Sequence, residues 1–337
     1  MGRVTDDEES AAVFDPQDPE ATIAAAAGRV SNWGRWGADD VLGTLNLLTP
    51  EKRVQGAALV RTGASFDLTQ HFTTDGPQKG WLRRVNPVHA MLGTGLDAEA
   101  GIPAFPHGIG GADDMITMPL QASTQWDGLG HIFDHGKAYN GRRAGAVVTS
   151  EGDNTTGIET TAGRFVGRGV LLDVGRSHGT DGELPDGFAI TPEHLDSTAA
   201  AHGVEVSSGD LLLVRTGRLA RARRSIAAGT GWGDYAGGES PGLSFASLDW
   251  LREHDVAAVA TDTWGVEVRP SEFAVPTFQP FHQVAIPHLG LFLGEMWDLE
   301  ALAADCAADG VHEFLLAAAP LPVTGAVGAP VAPIAVK

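Results

Sequence analysis

Two short apolar runs with a capped helix between them limit the fold of this chain more than any other feature. Residues 169–173 and 210–215 are continuous apolar stretches bounded by glycine or a charged residue, which is typical of buried strands. Thr191-Pro192-Glu193 predicts the start of a helix between these runs, and Gly203 predicts its end. The order strand, helix, strand predicts an α/β fold built in layers.

The same order continues further along the chain. Ser244 predicts the cap of a helix that carries Leu248 and Leu251 on one face, and a strand follows at residues 256–261. Asp262 stands where this strand ends. Layered α/β folds place their chemistry at strand ends, so polar residues at these positions are candidates for a site.

The charge of the chain excludes some classes of partner. Its 337 residues include 23 Lys and Arg against 43 Asp and Glu, which gives a net charge of −20. Nucleic acid and anionic membranes would be repelled, so we expect neither as a partner. Residues 1–20 hold many of the acids and one arginine. We therefore expect residues 1–28 to form an acidic, flexible arm and residues 29–337 to form a single domain.

Cysteine usage and the apolar end of the sequence bear on location. Cys306 is the sole cysteine, so no disulfide forms within the chain, and no basic and then apolar leader precedes the domain. Both features predict a cytoplasmic protein. Residues 314–336 carry no charge, but four prolines would interrupt a membrane helix. We expect a buried strand there, followed by an extended tail on the surface.

Function can best be argued from residues 121–131, which read QASTQWDGLGH. The β-forming residues in this stretch predict a strand over 121–127. Successive side chains of a strand alternate, so Ser123, Gln125 and Asp127 would share one side, while Trp126 would point to the core on the other.

A glycine-rich turn follows the predicted strand. Gly128 and Gly130 allow a tight backbone path that returns His131 towards the carboxylate of Asp127. A carboxylate and an imidazole on one turn are typical of a metal site or of an acid-base pair. The alternative is a polar turn in which Asp127 caps its own backbone.

The same stretch resembles H-x-G-T-H-x-D-x-P-x-H, the signature of the cyclase family that includes bacterial kynurenine formamidase and isatin hydrolase. Asp127 takes the place of the aspartate, His131 of the last histidine and Thr124 of the threonine. Gln121 and Gln125 stand where the first two histidines would be. The resemblance implies a single swivelling β/β/α domain and a metal-dependent hydrolase, in a variant whose metal-binding half is altered.

A second segment extends the resemblance. Residues 281–295 end in an apolar run followed by Glu295, which occupies the position of a metal-binding glutamate in the family. The family histidine falls on His282 or on Gln283, and His282 is favoured because imidazole is the better ligand. The resemblance thus implies one mixed site for a single Zn²⁺ or Mn²⁺, with the ligands Asp127, His131, His282 and Glu295.

Other residues are candidates for the walls of a pocket. Trp33 and Trp36 lie among glycines on a predicted loop, where they either line a pocket or cover the edge of the core. His89 belongs to a long irregular region, residues 73–120, of a kind that usually covers a site. A solvent-facing histidine is the alternative there.

These residues support three classes of function. The first is a hydrolase of a small amide, imide or lactone, in which Asp127, His131, Gln125 and His282 act in catalysis and Gln121, Trp33, Trp36 and His89 contact the substrate. The second is a metal-independent cyclase, dehydratase or isomerase that uses Asp127 and His131 as an acid-base pair. The third, a ligand-binding protein without catalysis, is weaker because converging ionisable groups are costly to bury.

We also expect a homodimer or a higher homo-oligomer. The apolar tail and the tryptophan-bearing loop near residue 33 would expose more apolar surface than a monomer usually does.

Overall fold

The strands and helices are taken from a computed structural model, which describes residues 14–337. The strands are β1 Ser65–Asp67, β2 Val88–Met91, β3 Asp114–Thr117, β4 Gln125–Asp127, β5 Val148–Thr149, β6 Gly152–Asp153, β7 Val166–Asp173, β8 Ala189–Ile190, β9 Leu211–Arg215, β10 Gly242–Leu243, β11 Ala258–Thr261, β12 Phe292–Glu295, β13 Glu313–Ala317, β14 Gly328–Pro330 and β15 Ile334–Val336. The helices are α1 Pro19–Val30, α2 Pro50–Ala57, α3 Gly95–Glu99, α4 Ala144–Val147, α5 Val174–His178, α6 Pro192–His202, α7 Arg218–Ala227, α8 Ser247–Glu253, α9 Pro280–Val284 and α10 Glu300–Asp309. A π-helical turn, Ala285–Leu289, continues α9.

Nine strands form one mixed sheet in the order β1-β15-β13-β7-β9-β11-β12-β4-β14. The four strands β7, β9, β11 and β12 run parallel, and the remaining pairs are antiparallel. Strands β7 and β9 are buried along almost their whole length, which explains their continuous apolar sequence. The predicted α/β fold is confirmed.

The sheet separates two apolar cores. In β9, Leu212 and Val214 face a core formed with helices α1, α6, α8 and α9, while Leu211 and Leu213 face the other side. The second core includes Trp126 of β4, helix α10 and the outer strands, because the sheet curls around it. Because successive side chains of a strand point to opposite faces of the sheet, one strand contributes residues to both cores.

Capping residues mark the ends of some helices. Helix α6 begins at Pro192 and ends before Gly203, which adopts the left-handed conformation expected of a C-terminal stop. Helix α2 has Thr49 as its N-cap, whose side chain accepts from the backbone amide of Lys52, and the helix ends at Ala57.

The two ends of the chain differ from expectation. The expected strand is present as β13, but the residues after it do not form a surface tail, because β15 pairs between β1 and β13, and β14 pairs with β4. Helix α1 spans the expected boundary at residue 28, and its buried Ile23 and Ala27 join the first core, so residues 19–28 pack with the domain. Residues 1–13 of the predicted acidic arm lie outside the described residues.

Among residues 14–337, no helix combines the length and the apolar character needed to cross a bilayer.

Candidate active site

Two neighbouring strands bring three polar side chains together. Strand β12 pairs antiparallel with β4, and Glu295 lies opposite Gln125 in this register. The amide nitrogen of Gln125 donates to Glu295 Oε2 at 2.8 Å and to Asp127 Oδ1 at 3.2 Å. Trp126 points to the opposite face and is fully buried in the second core, as the alternation predicts. Ser123 does not join the cluster, since its hydroxyl donates to the carbonyl of Gln70.

The turn after β4 is tight because its glycines have no room for a side chain. A Cβ at Gly130 would lie 2.1 Å from Asp153 Oδ2, and one at Gly128 would lie 2.8 Å from the carbonyl of Val327. The amide of His131 donates to the carbonyl of Gly128 at 3.0 Å and closes the turn. As a result, His131 Nε2 comes within 3.7 Å of Asp127 Oδ1.

Helix α9 supplies the imidazole of His282, which is completely buried. Glu267 fixes this residue, because its carboxylate accepts from the backbone amides of Phe281 and His282 and also contacts His282 Nδ1. His282 Nε2 is left facing Glu295 Oε1 at 3.4 Å. A carboxylate on the outer nitrogen is the usual arrangement behind a metal-binding histidine.

Asp127, His282 and Glu295 form a candidate metal centre. Each offers one ligand atom, and these atoms all lie within 4.8 Å of one another. Among the described residues, Asp127 Oδ2 and Gln125 Oε1 are buried and have no hydrogen-bond partner, so both oxygens can bind a cation. One imidazole and several oxygens are a donor set that suits Zn²⁺ or Mn²⁺, and the residues therefore fit one divalent ion.

The electrostatics of the cluster favour a cation. Burial raises the pKa of Glu295, and the nearby charge of Asp127 raises it further. Burial alone would lower the pKa of His282, but its hydrogen bonds to Glu267 and Glu295 raise it to about 10. The pKa of His131 is lowered, mainly because burial disfavours the charged imidazole.

Arg84 also reaches the cluster, although nothing in the sequence argument singled it out. Its Nη2 lies 3.3 Å from His131 Nε2, and its Nη1 lies 3.6 Å from Glu295 Oε2. The guanidinium stands over the ring of Trp264, 5.3 Å from its centroid. The two residues before Arg84, Leu82 and Arg83, both have positive φ. This backbone conformation costs of order 1 kcal/mol or more per residue.

A cavity of about 480 Å³ reaches Glu267, the residue that contacts His282. Phe273, Phe278, Pro270 and Pro276 line it together with Gln279. Gly265 lies between Gln279 and the cluster, since a Cβ there would lie 3.7 Å from Glu295 Oε1 and 3.9 Å from Gln279 Nε2.

The structure brings together only part of the predicted site. Gln125, Asp127, His131, His282 and Glu295 form the cluster described above. Gln121 lies close by: its Nε2 is buried, has no hydrogen-bond partner within residues 14–337, and faces Gly328, the residue of β14 that pairs with Asp127. Gln283 turns away from His282 and donates to Asp134 at 2.7 Å.

The three predicted wall residues lie elsewhere. Trp33 stacks on His288 and donates to the carbonyl of Pro287, so it covers the edge of the π-helical turn. Trp36 lies against Arg35, and His89 is on the exposed strand β2, paired with Asp114. A glycine-rich loop and an irregular region can lie at many places in a fold, so their sequence does not determine what their side chains contact. In the folded chain, tertiary packing places Trp33, Trp36 and His89 away from the cluster.

Comparison with known proteins shows the family of this chain. The sequence model of the Cyclase family matches residues 58–268. This chain belongs to the Cyclase family. A crystal structure described as a novel cyclase is 38% identical, covers 92% of this chain and 99% of its own, and superposes with a TM-score of 0.81.

Cyclase-family likeness extends more weakly to isatin hydrolases. Isatin hydrolase A from Labrenzia aggregata is 19% identical, with a TM-score of 0.56 over 85% of this chain and 97% of its own. Isatin hydrolase A from Ralstonia solanacearum is 18% identical, with a TM-score of 0.58 over 81% of this chain and 92% of its own. At this identity they share the fold, which confirms the predicted swivelling β/β/α type. No curated protein matches the chain.

Proposed function

We propose that this Cyclase-family chain is a metal-dependent hydrolase of a small amide, imide or lactone. The observation that carries the proposal is the buried set of Asp127, His282 and Glu295, whose ligand atoms lie within 4.8 Å of one another, with Glu267 on the outer nitrogen of the imidazole. Two carboxylates are seldom buried side by side unless a cation compensates them.

Asp127, His282 and Glu295 would hold the ion, with Gln125 Oε1 as a further oxygen. When bound, a divalent ion polarises a scissile carbonyl and lowers the pKa of water towards about 7. A single ion is expected, because Gln121 and Gln125 replace the histidines that a second one would need.

The other residues act on the substrate and on protons. His131, kept neutral by burial, accepts a proton at Nε2 and passes it to the leaving nitrogen or oxygen. Arg84 donates hydrogen bonds to the carbonyl oxygen as it gains negative charge, held in position by Trp264. The apolar cavity lined by Phe273 and Phe278 receives the rest of the substrate.

A direct test measures metal content and hydrolysis on one protein sample. We expect one Zn²⁺ or Mn²⁺ per chain by elemental analysis, and hydrolysis of at least one substrate from a panel of cyclic imides, lactones, an arylformamide and isatin. Asp127→Asn changes the charge and hardly the volume, so we expect normal folding, loss of the ion and a fall in kcat of at least 100-fold. Asp134→Asn is the matched control, since Asp134 contacts Gln283 and not His282. Two tightly held ions, or an Asp127→Asn variant as active as the parent, would contradict the proposal.

A second function is favoured by one observation. The amide of Gln125 bridges Asp127 and Glu295, and Arg84 lies beside Glu295, so protein groups already compensate part of the carboxylate charge. Asp127 and His131 would then act as an acid-base pair in a ring closure, dehydration or isomerisation. Turnover that survives complete removal of metal by a chelator would favour this second function.

A further inference from the structure

Arg269 is a cation in the wall of the cavity that also reaches Glu267. Among the described residues that line this cavity, Arg269 alone carries a positive charge. More than half of the lining residues are apolar, Phe273 and Phe278 among them. A cavity of about 480 Å³ is in the usual size range of small-molecule sites, where a few polar groups in an apolar wall fix the orientation of the ligand. Arg269 is a candidate for that role.

The guanidinium of Arg269 has unused hydrogen-bond donors. Its Nη2 donates to the carbonyl of Gly237 at 3.0 Å. Within residues 14–337 the guanidinium makes no other hydrogen bond and no ion pair, and its Nη1 has no partner. A guanidinium carries five N–H groups, so Arg269 can bind a further acceptor. Because it is partly buried without a carboxylate beside it, this arginine gains from an anion that enters the cavity.

Two aromatic rings hold this guanidinium in place. Its Cζ lies 4.7 Å from the ring centroid of Trp81 and 5.6 Å from that of Trp264. Stacking of this kind stabilises the cation through the ring faces and leaves N–H groups for hydrogen bonds. Burial lowers the pKa of Arg269, while the charges of Glu267 and Glu295 act in the opposite direction. A carboxylate bound to Arg269 would offset the cost of this burial.

Trp264 also connects Arg269 to the cluster. The Cζ of Arg84 lies 5.3 Å from the centroid of the same Trp264 ring. Both guanidinium carbons are thus within 5.6 Å of one point, and less than twice that distance separates them. Arg84 reaches the carboxylates of the cluster, since its Nη1 lies 3.6 Å from Glu295 Oε2. The spacing therefore allows one small molecule to contact Arg84 with one end and Arg269 with the other.

Glu267 is the one carboxylate among the described residues that line the cavity. Its oxygens accept from the backbone amides of Phe281 and His282, and they contact His282 Nδ1. These contacts compensate its charge, so Glu267 repels an entering anion less than an unpaired carboxylate would. A single guanidinium matches the two oxygens of a carboxylate, which makes a carboxylate the anion that fits Arg269 best.

We propose that this cavity selects a substrate with a free carboxylate on a small apolar skeleton, and that Arg269 binds this carboxylate. The inference rests on the proposed function, which places the amide, imide or lactone group of the same molecule at the cluster. With a net charge of −20, the chain as a whole repels anions, so an anionic substrate needs a cation inside the site. Arg269 provides that cation and acts on specificity.

The first experiment measures binding and needs no turnover. Isothermal titration calorimetry on the full-length chain compares benzoate, phenylacetate and phenylpropionate with the primary amides of the same acids. We expect at least one of these carboxylates to bind about tenfold more tightly than its amide, because only the carboxylate pairs with Arg269. Arg269→Gln should remove this preference. Arg269→Lys, which keeps the charge but not the two parallel donors, should retain part of it.

Arg53→Gln is the matched control. Arg53 of α2 is also partly buried, and within residues 14–337 it has no ion pair and a buried Nε without a partner, but it does not line the cavity. This variant should keep the preference of the parent. Three results would overturn the proposal: equal affinity of the parent for each acid and its amide, a preference that persists in Arg269→Gln, and a preference that is also lost in Arg53→Gln.

The second experiment separates this inference from the proposed function. It compares the hydrolysis of meta-formamidobenzoate and of a γ-lactone carboxylate with that of the same compounds carrying a primary amide in place of the carboxylate. We expect kcat/KM to be about tenfold higher for the carboxylates, mainly through KM, and Arg269→Gln to remove the difference. Turnover with equal kcat/KM for both forms would refute the role of Arg269 and leave the hydrolase in place. Carboxylate binding that depends on Arg269, without hydrolysis of any of these compounds, would contradict the hydrolase and leave the binding site in place.

Discussion

Glu267 holds the imidazole of His282 in position. Its carboxylate accepts from two backbone amides of α9 and contacts His282 Nδ1, which leaves His282 Nε2 directed at the centre. Glu267 is itself almost fully buried, so its charge acts with little screening. Such a partner fixes both the ring and the tautomer of a ligand histidine.

We expect Glu267→Gln to lower the affinity for the divalent ion by about 10-fold to 100-fold, because the carboxylate no longer orients and polarises the imidazole. Competition with a fluorescent chelator measures this affinity directly. Asp134→Asn, which removes a carboxylate next to Gln283, should leave the affinity within about a factor of two. An unchanged affinity in Glu267→Gln would mean that His282 is not a ligand.

Local sequence identified part of the site and missed the rest for a physical reason. Asp127 and His131 are four residues apart on one turn, so their proximity follows from a strand and two glycines. Arg84 is separated from His131 by 47 residues and meets it only in the folded chain. Glu267 is a charged residue between two valines, Val266 and Val268, and this pattern indicates a buried carboxylate.

At the level of elements, two histidines join helix α6 to the start of β13. His202 and His312 stack with ring centroids 3.7 Å apart, and the buried Nδ1 atom of each has no hydrogen-bond partner in the part of the chain that the structure describes. Burial lowers the pKa of His312 to about 4, and the neighbouring His202 contributes to the shift. Asp173, Arg176, Asp309 and Lys337 are the charged groups around this pair.

This pair predicts an acid-dependent loss of stability. An unfolded histidine binds a proton near pH 6.5, whereas His312 in the folded chain stays neutral to about pH 4. The free energy of unfolding should therefore fall as the pH falls from 6.5 towards 4. Chemical denaturation at pH 7.5 and pH 5 should show a smaller difference for His312→Phe than for the parent. His71→Phe, at an exposed histidine, should behave like the parent, and equal slopes in all three proteins would exclude the pair as the cause.

Elements whose signals are local were predicted, and those defined by distant pairing were not. The capping residues Thr191 and Gly203 adjoin helix α6 in sequence, so local sequence predicts where this helix begins and ends. The short strands β14 and β15 exist because they pair with β4, β1 and β13, and none of these partners is close to them in sequence except β13. Prolines and small residues are not typical of strands, so the sequence of this region predicts a surface tail and not this pairing.

At the scale of the whole molecule, charge and apolar surface act against each other. Each chain carries −20, so two copies repel, while exposed apolar side chains on β2 and β3, among them Val88, Met115 and Ile116, would favour the self-association expected from the sequence. If the chain self-associates through apolar surface, we expect added salt to strengthen the association, with a lower dissociation constant at 0.5 M than at 0.02 M NaCl. A dilution series followed by sedimentation measures this change. Weaker association at high salt would indicate an interface built on ion pairs instead.

The pairing of β4 with β14 also affects when the centre can form during synthesis. Residues 125–127 gain neighbours on both edges only from residues 292–295 and 328–330. A nascent chain on the ribosome must therefore reach about residue 330 before these residues are fixed, whereas β7, β9 and β11 can pair earlier. Asp127 and Glu295 come together only after β12 has been made, so a nascent chain that stops short of residue 295 offers no preformed site that could capture a metal ion.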